Sequence, residues 1–211
     1  MVNPIGCLSG AEILHFYNIN IISNSFSLFK NKNYDYIFHF AAINGTRYFY
    51  ERPYEVINTN LLCTIEMLHW HLKNASNSHI IWTSSSETYA SLNHPIPTSE
   101  KTSVGISDVF NPRYSYAASK LAGEVLLINY ARSESKPFTI VRPHNIYGPR
   151  MGTEHVIPEF IMRLINKEDP FLIYGAEQTR CFCYIDDFVN GMLATLTHEE
   201  AKDQIFHLGD D

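Results

Sequence analysis

No Gly-x-Gly-x-x-Gly run occurs in this chain, and its two early glycines, Gly6 and Gly10, follow no strand-like segment. Residues 1–12 therefore do not resemble the turn that cradles a dinucleotide phosphate at a helix N-terminus. Long apolar runs are missing too: stretches such as 36–43 are far shorter than a bilayer span, and the N-terminus has no basic region followed by an apolar one. A soluble, unexported, cytoplasmic protein with no membrane partner is expected. Neither sign of charge forms a block, and 16 Lys and Arg against 22 Asp and Glu leave a net charge of −6. That balance argues against a nucleic-acid surface and leaves small or proteinaceous partners. The four cysteines, Cys7, Cys63, Cys181 and Cys183, form no Cys-x-x-Cys pair. On a strand, Cys181 and Cys183 share a face and offer at most two metal ligands. Reduced thiols in a reducing compartment are expected. His69 and His71, two apart on a helix, diverge. No metal site is expected.

What is present is enough for a sizeable core: 211 residues, 45% of them hydrophobic, predict one large domain or one domain with a small lobe. Strands are predicted at 13–22 and 35–41, the second apolar enough to be buried on both faces and ending in the small pair Ala41 and Ala42. Helical spacing of Ile57, Leu61, Ile65, Leu68 and Leu72 predicts a helix over 54–74, with Pro53 at its start. A short buried strand at 79–84 runs directly into Ser85, Ser86 and Glu87. Residues 88–111, with two prolines and no sustained period, predict a loop. A second helix is expected over 112–133, with Ala117, Leu121, Val125 and Ile128 on one face. A strand at 138–142 leads into 143–150, whose prolines and glycine forbid a regular element. Beyond it come a helix at 156–166, strands at 171–174 and 179–185, a helix capped by Asp186 or Asp187, and a strand at 204–208.

Short apolar strands alternating with helices indicate a parallel sheet with helices on both faces. Functional groups in such sheets collect at the carboxyl ends of the strands, where Ala41–Ala42, Ser84–Glu87 and residues 143–150 fall. The stretch YSYAASK at 114–120 adds a phenol and an ammonium, Tyr116 and Lys120, at i and i+4 on one helical face. A phenol ionising near pH ~10 becomes a usable base when a cation stabilises its phenolate. Tyrosine and lysine at this spacing also occur as solvated pairs.

In this order, HFAA at 39–42, Asn60, SSSETY at 84–89, Tyr116 to Lys120, RPHNIYGP at 142–149, and QTR at 178–180 before YIDD at 184–187 resemble the extended short-chain dehydrogenases. The closest branch is that of the NAD-dependent epimerases and dehydratases, which act on nucleotide sugars and include the UDP-glucuronate decarboxylases. The resemblance implies an α/β, Rossmann-like, doubly wound parallel sheet with a partial substrate lobe: residues 1–150 as a partial NAD-binding domain and 151–211 as the lobe, with elements returning to the main sheet. It implies that Tyr116 takes a proton from a sugar hydroxyl during oxidation at C4, and that Lys120 holds the nicotinamide ribose and lowers the tyrosine pKa. By the same resemblance Ser85 bonds the sugar oxygen and Glu87 serves a later acid–base step; a turn-capping serine and a solvated carboxylate are the alternatives. Ala41, Ala42, Asn60 and Pro143 match the NAD side, with NADP not excluded. Ser86, Asn145, Tyr174 and Arg180 match the side that holds a UDP- or GDP-sugar. Arg180 can instead form a surface ion pair and Tyr174 can be simple core. Helices 54–74 and 112–133 match a homodimer interface.

The family's opening strand, glycine-rich turn and helix have no counterpart here, and the C-terminal end is short. The chain is therefore expected to be the middle of a longer enzyme, an inactive remnant, or a sugar-nucleotide-binding protein that lost its cofactor. Without the Asp-Glu pair of many 4,6-dehydratases, epimerisation or decarboxylation is favoured over dehydration.

Overall fold

The two most apolar runs take the middle of the sheet. Strands β2 (His79–Thr83) and β3 (Phe138–Pro143) lie side by side and parallel, with Ile80, Ile81, Ile140 and Val141 fully buried. Burying such side chains stabilises the fold by roughly 1.5–3 kcal/mol each. The structure, a computed structural model, describes residues 15–22, 25–29, 32–74, 77–89, 93–153 and 155–209. Strand β1 (Tyr36–His39) flanks β2 and a C-terminal strand, β6 (Gln204–Leu208), flanks β3, so the parallel order is β1-β2-β3-β6. Between them in sequence, β4 (Asn145–Tyr147) and β5 (Phe182–Tyr184) pair as a separate two-stranded parallel sheet.

Helices cover both faces. On one, α2 (Pro53–Lys73) and α3 (Ser115–Glu134) contribute Met67, Leu68, Leu127 and Ala131 to a core with Ile80, Trp82, Phe138 and Ile140. Helix α3 comes close because Gly123 faces the Trp82 ring, which a Cβ there would strike. On the other face, α5 (Ile185–Thr197) packs Phe188 and Met192 against Ile81 and Cys183. A short α1 (Thr46–Glu51) precedes α2, and α4 (Val156–Ile165) follows β4. This is the expected Rossmann-like α/β fold with a parallel sheet. Among the described residues no helix is long and apolar enough to cross a membrane.

Several expectations are corrected. Residues 15–22 form no strand, because no partner strand lies beside them among the described residues; 13 and 14 lie outside those residues. Strand β1 is not buried on both faces: it is the sheet's edge, and Tyr36 and Phe38 are exposed. The stretch 143–150 does hold a regular element, because the residues between Pro143 and Gly148 suffice for the three pairs with β5. The strand expected over 171–174 is absent, and the next one shortens to Phe182–Tyr184. Neither Asp186 nor Asp187 caps α5; Tyr184 holds that position without a side-chain bond, and both carboxylates stand in the first turn, complementing the helix dipole. The row Ile57 to Leu72 does form a helix, α2, with both ends of the row exposed. The buried stripe is instead Val56, Asn60, Cys63, Thr64, Met67 and His71, joined by Leu68. His71 earns its burial by bonding the Tyr130 hydroxyl at 2.7 Å and the Ser78 carbonyl at 3.1 Å, while His69 is exposed.

Candidate active site

The turn before α3 sets the site. Asn111 accepts a bond from the Arg113 backbone N–H at 3.0 Å, Pro112 fixes the first position, and a 3-10 turn (Pro112–Tyr114) delivers Tyr116 into the first turn of α3. Lys120 follows on the same face, its Nζ 5.7 Å from the centre of the Tyr116 ring. Both are deeply buried, Tyr116 being 7% and Lys120 4% exposed. The ammonium donates to the Thr83 carbonyl at 2.7 Å, at the carboxyl end of β2, and lies 4.9 Å from the centre of the Trp82 ring.

Ser85 leaves β2 directly opposite. Its hydroxyl accepts the Glu87 N–H at 3.2 Å, and the Ser85 side chain acts to lower the Tyr116 pKa. The bond from Glu87 is the turn-capping reading of this serine. Ser86 and Glu87 open the 3-10 turn Ser86–Tyr89, and Glu87 pairs with Arg113 at 2.8 Å. The Arg113 guanidinium stands 5.3 Å from the Phe49 ring centre, and Phe49 stacks on Tyr116 with centroids 5.0 Å apart and planes 14° from parallel. Glu87 is thus an ion-paired group rather than a solvated loop carboxylate.

Burial dominates the electrostatics. It drives the Tyr116 phenol well above its ordinary pKa, with the Ser85 hydrogen bond opposing and the Glu87 charge adding to the rise. Desolvation lowers Lys120 to about 8, against the influence of Cys63 and Glu124. His39 falls to about 4, first through burial and then through the Lys120 charge. The expectation of a tyrosine acidified by its lysine is corrected: burial raises the phenol, and Lys120 is not among the charges that shift it.

The remaining sequence candidates divide. Ala42 packs with Phe49, Val56 and Tyr116; Ala41 lies beside it after β1, half-buried. Asn60 holds that loop, accepting the Ile43 N–H at 2.7 Å and donating to the Ile43 carbonyl at 3.3 Å and Ser119 Oγ at 3.0 Å. Pro143 ends β3 opposite Leu208. Asn145, Tyr174 and Arg180 are exposed, and Asn145 and Arg180 are engaged elsewhere. Asn145 donates to the Cys181 carbonyl at 2.8 Å, and Arg180 bonds the Thr179 carbonyl and Gln178 Oε1 at 2.9 and 2.6 Å. Tyr174 is 86% exposed in a turn, so it is neither core nor in contact with the tyrosine. Phe49, Arg113, His39 and Glu124 are site residues that sequence reasoning missed. Two of them had a visible signal: Arg113 and Glu124 flank the 116–120 pair at helical spacing.

These residues suit one end of NAD. Lys120 keeps two N–H donors beyond its bond to Thr83, one helical turn from Tyr116. The pyrophosphate end is unmatched among the described residues: no glycine-rich turn joins a strand to a helix, and the outer edge of β1 has no strand beside it. No group of three or more metal-ligating side chains occurs among them.

Comparison with known proteins identifies the family. Residues 4–209 match the model of the NAD dependent epimerase/dehydratase family. A UDP-N-acetyl-alpha-D-glucosaminuronate decarboxylase of Bacillus cytotoxicus is 35% identical over 182 residues, 84% of this chain and 54% of that one. A dTDP-D-glucose 4,6-dehydratase of Dictyostelium discoideum is 29% identical across 100% of this chain and 49% of its own. The crystal structure of Thermotoga maritima UDP-glucose 4-epimerase with UDP-glucose superposes with a TM-score of 0.79 at 25% identity, covering 92% of this chain and 62% of that one. The chain spans about half the length of the curated relatives it matches. It belongs to the NAD-dependent epimerase/dehydratase family.

Proposed function

We propose that this chain carries the acid–base centre of an NAD-dependent enzyme that oxidises a nucleotide sugar at C4, then epimerises it or eliminates from the keto sugar, as in decarboxylation. The observation that carries the reading is Tyr116 and Lys120 buried on one face of α3, the lysine Nζ 5.7 Å from the ring centre and bonded to the Thr83 carbonyl at the carboxyl end of β2. As packed, Tyr116 is a neutral phenol, the form that gives a proton to a C4 carbonyl oxygen; the reverse step needs its phenolate, which Lys120 and Ser85 are placed to stabilise. Displacement of the Phe49 ring by substrate would relieve the burial that opposes that ionisation. Bound NAD would supply the hydride acceptor, with Ala41, Ala42, Asn60, Lys120 and Pro143 on its side. Oxidation at C4 acidifies the neighbouring C–H, and Glu87, steadied by Arg113, is the acidic helper for the next step.

The substrate is a UDP- or GDP-sugar, held by Ser86, Asn145, Tyr174 and Arg180; reaching it requires Arg180 to leave Gln178. Residues 151–211 act as the partial lobe on the domain formed by 1–150. A homodimer through α2 and α3 accounts for the exposed row Ile57, Leu72, Val125 and Leu126. The missing pyrophosphate cradle favours a second reading, a sugar-nucleotide-binding protein without cofactor. Calorimetry with NAD and with UDP-sugars separates the two. Binding of both supports the enzyme, binding of the sugar nucleotide alone supports the second reading, and binding of neither contradicts both.

A further inference from the structure

We propose that Glu124 is a positioning residue of the site: its carboxylate, forked onto Arg142, ties Ser84 to α3 beside Ser85 and sets the charge facing Lys120. Tyr116, Lys120 and Glu124 follow one another at intervals of four, so all three share one face of α3. Glu124 is 3% exposed and so is Arg142, the penultimate residue of β3.

The two form a bidentate pair, Nε to Oε1 at 2.8 Å and Nη2 to Oε2 at 2.6 Å. Glu124 Oε1 also accepts from the Ser84 hydroxyl. Arg142 Nη1 turns outward to the Tyr89 hydroxyl and to the Glu100 carbonyl at 3.2 Å. His207 closes the network, with Nε2 3.0 Å from the Tyr89 oxygen and its backbone N–H donating to Glu100 Oε1 at 3.1 Å. One carboxylate thereby connects α3 and the ends of β2 and β3 with the turn that carries Ser85 to Glu87.

A buried ion pair is weak evidence of stability, since its desolvation offsets its attraction. Its placement one turn from Lys120 and one residue from Ser85 gives it a second role. Lys120 is faced by His39 from β1, Cys63 from α2, and Tyr116 and Glu124 from its own helix, and Glu124 is the carboxylic acid among them. This rests on the role proposed above for Lys120.

The test is the side-chain NMR titration of Lys120, which requires no turnover and so stands apart from loss of activity in Tyr116→Phe. In the parent chain the lysine should titrate near pH 8. In Glu124→Gln its midpoint should fall by about one unit, roughly tenfold in acidity. That variant leaves Arg142 buried without its partner and risks unfolding, so the double substitution Glu124→Met with Arg142→Met, which removes both charges, is measured alongside. A folded double variant with the lowered midpoint supports the inference. An unchanged midpoint in either folded variant overturns it, leaving Glu124 a structural residue only.

Discussion

The Phe49 ring lies nearly parallel on the Tyr116 ring, centroids 5.0 Å apart, and both side chains are buried. The aromatic that steadies the proposed catalytic phenol is therefore also the one that keeps water and charge from it. Replacing Phe49 with alanine should cost about 3–5 kcal/mol of stability, read as a lower urea midpoint. It should also bring the Tyr116 titration back towards that of an exposed phenol, which selectively labelled tyrosine NMR resolves. A Tyr116 titration unmoved in a folded variant would show that other groups desolvate it.

Glu87 and Arg113 are each about a quarter to a third exposed, so their pair contributes little stability, under ~1 kcal/mol. Its value is chemical in this account. Glu87→Gln should lower turnover about a hundredfold while the melting temperature hardly moves, and Arg113→Met should lower turnover less. Equal melting losses and unchanged turnover would return the pair to a structural role.

His39 gives a pH signature. Its folded pKa of about 4 lies below the ordinary 6.5, so the unfolded chain binds protons more readily across that interval. Its contribution, of order 3 kcal/mol, is complete above pH ~6.5 and is lost as pH falls towards 4. His71, His79, His144 and His207 are shifted in the same direction by burial. Urea unfolding from pH 7 to pH 4 should show stability falling more steeply for the parent than for His39→Leu; parallel curves would count against it.

The outward row on α2 and α3 predicts self-association. Sedimentation at micromolar concentration should give a dimer, and Val125→Arg, at a position 54% exposed, should give a folded monomer. A parent chain that sediments as a monomer rejects the interface.

The sheet and its long helices were legible because apolar runs and helical spacing report burial directly: 79–83, 138–143 and the helix from Pro53 all formed where expected. The edge position of β1 was not, because the same run of YIFHFA suits a strand whether or not a neighbour covers its far side. Tyr116, Lys120 and Ser85 were readable as a motif, and the fold does bring them together. The sign of the tyrosine's pKa shift was not, since it depends on Phe49, 67 residues earlier in the chain. The buried side of α2 was not legible for a related reason: the helix is apolar around much of its circumference, and spacing alone cannot tell which side meets the sheet.

The central claim is that the Tyr116 oxygen moves the proton during oxidation of a nucleotide sugar. The direct measurement compares parent and Tyr116→Phe, each mixed with NAD and a panel of UDP-sugars, following reduced nicotinamide by its near-ultraviolet absorbance and sugar products by chromatography. The account predicts turnover by the parent and a loss of at least a hundredfold in a phenylalanine variant that still binds the sugar nucleotide. Equal turnover by the two proteins would contradict it.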